Sequence, residues 1–417
     1  MINRSLVQCR SCSYTLWLRI DRPETGNDQY LYSCPNCQLD TTLMVKNETH
    51  SVLIQSDECK EIEPKEVHLK DMDSNNVVTL SSFYPVFLDV HNKPLTEGGS
   101  PRLYFFTKYF DCAQRYIRVI TFFSGIKCNF LHEHLNIISA IEDFNWKKVR
   151  GLLDKSKIKI TNDIASMSEQ LLINEAYSYI SILFFDLLGI EKRACLYDEY
   201  YKALNECNAN HTSSYYSLLC DLHNEHQYLI NRKKLFNIHR RIFKNVESYI
   251  AGFIYEFACD NFKQDMYRCR LYRSDFDTVK SLYVDIFELI SKTSSYMILI
   301  LNLANRGSIH KFSTPGISIT KLKSMTSYNR LNLLAECPEI HSLFQSVSRK
   351  MRNDIGHFSA QYDVKTGVIN YDSGQSEHYL IFLNNLLQAI KAFKIVYTVY
   401  SKVDLDFVQL RPNKNVL

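Results

Sequence analysis

The sequence predicts a mainly α-helical protein that opens with a small β module. Three observations carry this expectation. Only 12 Gly and 9 Pro punctuate 417 residues, so few breakers oppose long helices. After residue 103 apolar residues recur at spacings of three and four, as on one face of a helix. Before that point, two Cys-x-x-Cys pairs enclose short strand-like runs.

Composition narrows the class. The hydrophobic share of 46% and charged share of 23% are ordinary for a globular chain. They exclude a mostly disordered chain, a collagen-like chain and an extended coiled coil. The length suggests two to three domains at roughly 150 residues each. With 27 Tyr and 24 Phe, a sizeable core is available. The net charge of +4 permits nucleic-acid binding without arguing for it. No apolar run reaches the ~18 residues a membrane span needs. The run Tyr296–Leu301 stops at Asn302, and the run over 180–188 contains Asp186. Both read as buried helix, and no membrane partner is expected. The start MINRSLVQCRSC lacks the apolar core of a signal peptide, and 13 Cys is an odd count. A reduced, cytoplasmic protein is expected.

Residues 1–46 form the first element. Cys9-x2-Cys12 and Cys34-x2-Cys37 stand 21 residues apart. Each pair can turn tightly and aim two sulfurs at one point, and two pairs supply a tetrahedral set for Zn²⁺. The runs Tyr14–Ile20 and Tyr30–Tyr32 read as strands, with a turn over 23–28, which makes a zinc ribbon. With all four ligands from protein, the single Zn²⁺ is expected to be structural. The other nine cysteines, Cys59 among them, lack paired spacing and read as core thiols.

Residues 47–101 read as a loop- and strand-rich linker, acidic at Glu48, Asp57, Glu58, Glu61, Glu63 and Glu66, and ending in Gly98-Gly99-Ser100-Pro101. Residues 102–205 read as a helical middle domain. Its apolar stripes include Leu135, Ile138, Ile141 and Phe144, then a long helix from Ser166 to about Asn205. Residues 206–417 read as a helical bundle. Its expected helices run from about Ser213 to Cys259, from Ser274 or Asp275 to Asn305 with Gly307 as the stop, from Pro338 to Phe358, and from Ser376 to Lys402. A strand pair falls between the last two. There is no Gly-rich nucleotide loop and no carboxylate cluster for a two-metal nuclease.

Two basic features bear on function. Arg232, Lys233, Lys234, Arg240, Arg241 and Lys244 fall in 13 residues without Asp or Glu. They are candidate RNA-backbone contacts, against the alternative of a solvated helix face. Near the end of the expected 338–358 helix stand Arg352, Asn353 and His357. Asn353 and His357 are four apart and share a helix face. A guanidinium can clamp a phosphate by paired hydrogen bonds, and an imidazole can move the proton of a 2′-OH. By chemistry alone, such a trio also fits an ordinary helix end.

The run Arg352-Asn353-Asp354-Ile355-Gly356-His357 resembles the R-x4-6-H motif of the HEPN superfamily, in which a polar residue often follows the Arg. The continuation from Ser359 to Tyr371 resembles the short hairpin that follows the motif in bacterial members, with Tyr362 and Tyr371 in the flanking strands and the turn over Asp363 to Gly367. The resemblance covers roughly 210–402 as architecture and 352–371 as specific sequence. It implies a four-helix bundle, a homodimer with two motifs facing one cleft, and metal-independent endoribonuclease activity. Arg352 would bind phosphate, His357 would do acid–base or positioning work, Asn353 would orient them, and a 2′,3′-cyclic phosphate would remain. It also implies service as a toxin or antiphage abortive-infection effector, with an antitoxin or sensor as a further partner. The alternatives are a non-catalytic nucleic-acid-binding or scaffold protein with a structural zinc ribbon, and a regulator that meets its partner through the ribbon and residues 47–101.

Overall fold

Strands give way to helices near residue 100, where the sequence texture changes. The computed structural model describes residues 2–21, 27–47, 52–65, 76–81, 84–88, 94–95, 100–109, 131–156, 163–187, 198–256, 259–273, 275–334 and 360–410, with single residues at 117, 121, 347, 353 and 355. The chain forms two compact units. The first takes 1–128, 245–281 and 354–386, the second 129–244, 282–353 and 387–417. The expected division into 1–46, 47–101, 102–205 and 206–417 therefore gives way to two units interleaved along the sequence.

The first unit begins with two hairpins. Strands β1 (Ile2–Cys9) and β2 (Thr15–Asp21) pair antiparallel, as do β3 (Asn27–Ser33) and β4 (Asp40–Asn47). Three more strands extend them: β5 (Val52–Gln55) on β4, β6 (Cys59–Glu61) antiparallel on β1, and β7 (Val77–Leu80) parallel on β2. The sheets β6-β1-β2-β7 and β3-β4-β5 share one core. Val7, Leu16, Leu18 and Ile20 meet Tyr30, Tyr32, Leu43 and Val45 there. Burying each such side chain contributes about 1.5–3 kcal/mol relative to exposure. Much of 47–101 is thus no linker. A ribbon of two hairpins would leave its edges open, and β5, β6 and β7 cover three of them.

The same unit holds the small sheet β10-β8-β9, made of β8 (Val86–Leu88), β9 (Pro94–Leu95) and β10 (Cys269–Arg270). Helix α1 (Pro101–Lys108) starts on the Ser100 hydroxyl, which accepts from the Leu103 N–H at 3.3 Å. Its Phe105 packs edge-on to Phe262, as does Phe87. A short helix, Gly252–Glu256, runs close to Leu383: a Cβ on Gly252 would come within 2.8 Å of the Leu383 backbone.

The expected hairpin is present as β11 (Gln361–Asp363) and β12 (Val368–Asn370). Its turn closes where expected, with the Gly367 N–H donating to the Asp363 carbonyl at 2.8 Å. Tyr362 lies in β11, and Tyr371 sits one residue past β12. A third strand, β13 (Ser376–His378), replaces the expected start of the last helix, because it pairs with β12.

The second unit is helical: α2 (Leu131–Glu142), α3 (Trp146–Lys155), α4 (Glu169–Leu187), α5 (Asp198–Asn210), α6 (Thr212–Asn224), α7 (His226–Lys244), and most of α8 (Phe276–Arg306) and α9 (Tyr379–Leu410). The predicted Ser166–Asn205 helix is α4 and α5, with 188–197 outside the described residues. The predicted Ser213–Cys259 helix breaks at Glu225, whose backbone is extended (ψ 115°), and its second part ends at Lys244. The α8 boundaries follow the sequence. The Asp275 carbonyl receives the first turn, and Gly307 ends the helix at φ 70°, in the left-handed region that favours glycine. The predicted Pro338–Phe358 helix lies outside the described residues except for Val347, Asn353 and Ile355. Among the described residues only α9 is long and apolar enough to cross a membrane, and 72% of its apolar window is buried within the protein.

Candidate metal centre

Cys9 and Cys12 stand on the tip of the β1–β2 hairpin, Cys34 and Cys37 on that of β3–β4. The two tips repeat one geometry. In each, the N–H of the first cysteine donates to a carbonyl five residues on, to Tyr14 at 2.9 Å and to Leu39 at 2.8 Å. In each, the residue after the second cysteine donates back to the first, Ser13 to Cys9 at 3.0 Å and Gln38 to Cys34 at 2.9 Å. That residue is left-handed in both loops, with φ of 58° at Ser13 and 64° at Gln38. A non-glycine residue there is uncommon and costs strain, which the loop hydrogen bonds offset.

The result is one cluster of sulfurs. All four lie within 4.8 Å of one another. Cys9 Sγ is 3.7 Å from Cys37 Sγ, and Cys12 Sγ is 3.7 Å from Cys34 Sγ. A tetrahedral four-thiolate site places its sulfurs roughly 3.8 Å apart, so the donor set fits a metal ion. Cys9 and Cys34 are buried, while Cys12 and Cys37 are half-buried.

Nearby donors tune the sulfurs. The Asn36 side chain and the Tyr14 N–H hydrogen-bond to Cys12 and lower its thiol pKa to about 6. Burial pushes the Cys34 thiol up to about 12, against the backbone N–H groups of Cys37 and Asn36. A bound cation would favour the thiolate at both. Asn36 is a supporting residue that the spacing rule does not single out. Its signal was its place between Pro35 and Cys37, where a short amide can turn back on the loop.

The basic helix does not form the stripe the sequence suggested. Arg232, a candidate RNA contact, is 2% exposed. Its guanidinium donates to Asp404 at 2.9 Å and to the carbonyls of Glu142 and Ile141 at 2.8 and 3.1 Å. Two of the last carbonyls of α2 are thereby satisfied. Phe144, expected on the apolar stripe of α2, is instead 43% exposed. It sits at φ 52° on the α2–α3 corner, its ring 3.7 Å from the Arg232 guanidinium carbon. Arg240 pairs with Glu142 and Arg241 with Asp285. Lys233, Lys234 and Lys244 are exposed. A period of 3.6 puts positions 232, 235, 236 and 239 on one face, and the buried Leu235, Phe236 and His239 show that this face is the core side.

Asp404 completes that node. Burial raises its pKa, but Arg232 and hydrogen bonds from His223 and Tyr177 outweigh it and hold the carboxyl at about 2. Close by in the sequence of α7, His239 Nε2 lies 2.9 Å from His134 Nε2, so one ring donates and the other accepts. Burial lowers the His134 pKa to about 3.

Arg352 and His357 lie outside the described residues, and Asn353 is helical and half-buried. Comparison with known proteins yields no match to a family model, a curated protein or a solved structure.

Proposed function

We propose that this chain is a metal-independent endoribonuclease of the HEPN type, stabilised by one structural Zn²⁺ on Cys9, Cys12, Cys34 and Cys37. The observation that carries the reading is the Arg352-Asn353-x3-His357 motif followed by a hairpin and a long apolar helix. The zinc assignment rests on the all-thiolate donor set, which suits a borderline-soft cation, and on the absence of a spare ligand for chemistry. Arg352 would hold the scissile phosphate, His357 would take the 2′-OH proton or give one to the leaving oxygen, and Asn353 would orient the pair. The 2′-oxygen would displace the 5′-oxygen and leave a 2′,3′-cyclic phosphate. A homodimer and an antiphage or toxin role in the cytoplasm belong to the same proposal.

The test uses the zinc-loaded full chain, single-stranded and transfer RNA, and no added divalent cation. Cleavage to cyclic-phosphate ends is expected. Arg352→Ala and His357→Ala should each lower the rate by about 10²–10⁴-fold with zinc content unchanged. Variants that cut as well as the parent reject the assignment.

A second reading is a non-catalytic binding or scaffold protein. It is favoured by Arg232, Arg240 and Arg241 being engaged within the chain, which weakens the case for an RNA-tracking helix. Under it, no RNA is cut and His357→Ala changes no binding.

A further inference from the structure

A fifth cysteine faces the metal set. Cys59 is the partner of Cys9 across the β1–β6 ladder. The type of pairing at this rung follows from the neighbouring hydrogen bonds. Ile62 N–H donates to the Leu6 carbonyl at 2.9 Å, and Arg10 N–H to the Glu58 carbonyl at 2.8 Å. Hydrogen-bonded rungs alternate with bare ones, so the rung holding Cys9 and Cys59 is bare. In agreement, the Cys9 N–H points the other way, to Tyr14. Residues on a bare antiparallel rung project to the same face with Cα atoms about 4.5 Å apart, inside the roughly 4.4–6.8 Å that a disulfide spans. Both cysteines lie at strand ends, β1 finishing on Cys9 and β6 starting on Cys59. A small adjustment there disturbs little of the ladder.

Access comes from the other side. Cys59 lines an open groove of about 500 Å³ together with Arg10, Ser56, Asp57 and Lys60. The side chains of Ser56 and Tyr32 hydrogen-bond with its thiol. Cys59 is otherwise buried, 3% exposed, and this groove is the described opening that borders it.

We propose that Cys59 is a redox modification site that forms a cross-strand disulfide with Cys9 on exposure to a peroxide and thereby releases the bound metal. The inference rests on the four-thiolate reading above. The Cys59 sulfur attacks the O–O bond, gains one oxygen as a sulfenic acid, and the second oxygen leaves as water. The Cys9 thiolate then attacks the Cys59 sulfur. The S–O bond breaks, and the departing hydroxide takes a proton from solvent. Two sulfurs are oxidised by two electrons in all, and the peroxide is reduced to two waters. The metal is left with three protein thiolates, and a site short of a ligand loses its hold.

The experiment treats the zinc-loaded full chain with hydrogen peroxide in the presence of a chromophoric zinc chelator, then maps disulfides by peptide mass spectrometry. One zinc per chain should appear together with a Cys9–Cys59 cross-link, and dithiothreitol should restore zinc binding. Cys59→Ser and Cys59→Ala should keep zinc as purified and release it about tenfold more slowly. Release at the parental rate from either variant overturns the proposal. So does a parental map with disulfides only among Cys9, Cys12, Cys34 and Cys37, a measurement that needs no variant. A purified parent chain without zinc overturns the four-thiolate reading and this proposal with it.

Discussion

Arg232 decides more about the second unit than any neighbouring basic residue. Its charge is buried with that of Asp404, and it closes the end of α2. A buried pair contributes little relative to an apolar substitute, but breaking one partner strands the other. Asp404→Ala should therefore lower unfolding stability by about 3–5 kcal/mol, read by chemical denaturation, while exposed Lys233→Ala should change it by less than about 0.5 kcal/mol. Equal effects would remove Arg232 from its place as an anchor. Nothing in the order of residues signals the pairing directly. Arg232 and Asp404 are 172 positions apart, and a basic run reads the same whether one member faces in or out. Burial of Leu235, Phe236 and His239 is what tells the faces apart. The four cysteines were legible because their spacing alone limits what they can do. Cys59 was not, since only strand pairing brings it opposite Cys9.

At the scale of elements, long helices were read well where capping and breakers agree. Helix α8 begins after Asp275 and stops at Gly307, both visible in the sequence. Breaks without Gly or Pro were missed: the chain interrupts itself at Glu225, between two runs of good helix formers. Strands after residue 47 were expected, but not their pairing with the ribbon, because three- or four-residue strands carry too little alternation to show which edge they join. Element packing also sets a tight tolerance at Gly252, where the helix Gly252–Glu256 meets Leu383. Because the clash there is with backbone, Gly252→Ala should cost about 1–3 kcal/mol despite alanine's better helix propensity. Thermal melting checks it, and a stabilised variant would show that the two backbones can part.

For the whole molecule, acid sensitivity follows from what is buried. The Asp404 carboxyl sits at about 2, below its usual value of 3.8, so it adds stability above pH 4 that is lost as pH falls from 4 to 2. His134 is held to about 3 from 6.5 by burial. A buried base of this kind favours the fold fully above pH 6.5 and less as pH falls toward 3, because the unfolded chain takes up the proton first. Both effects have the same sign. The melting temperature should decline from pH 6.5 downward and more steeply below pH 4. Glutamine in place of His134 should flatten the span between pH 6.5 and 4, measured by calorimetry. A parental profile that is flat from pH 8 to 4 would contradict the buried histidine pair.

The Arg232 node also bears on the order of synthesis. The corner after α2 waits for a guanidinium made ninety residues later, and that guanidinium waits a further 172 for its carboxylate. A ribosome-bound chain halted before Asp404 emerges must hold an arginine that cannot yet be sealed inside. Co-translational folding of the second unit is thus deferred to its last helix, and chaperone occupancy should persist on nascent chains until that helix clears the exit tunnel.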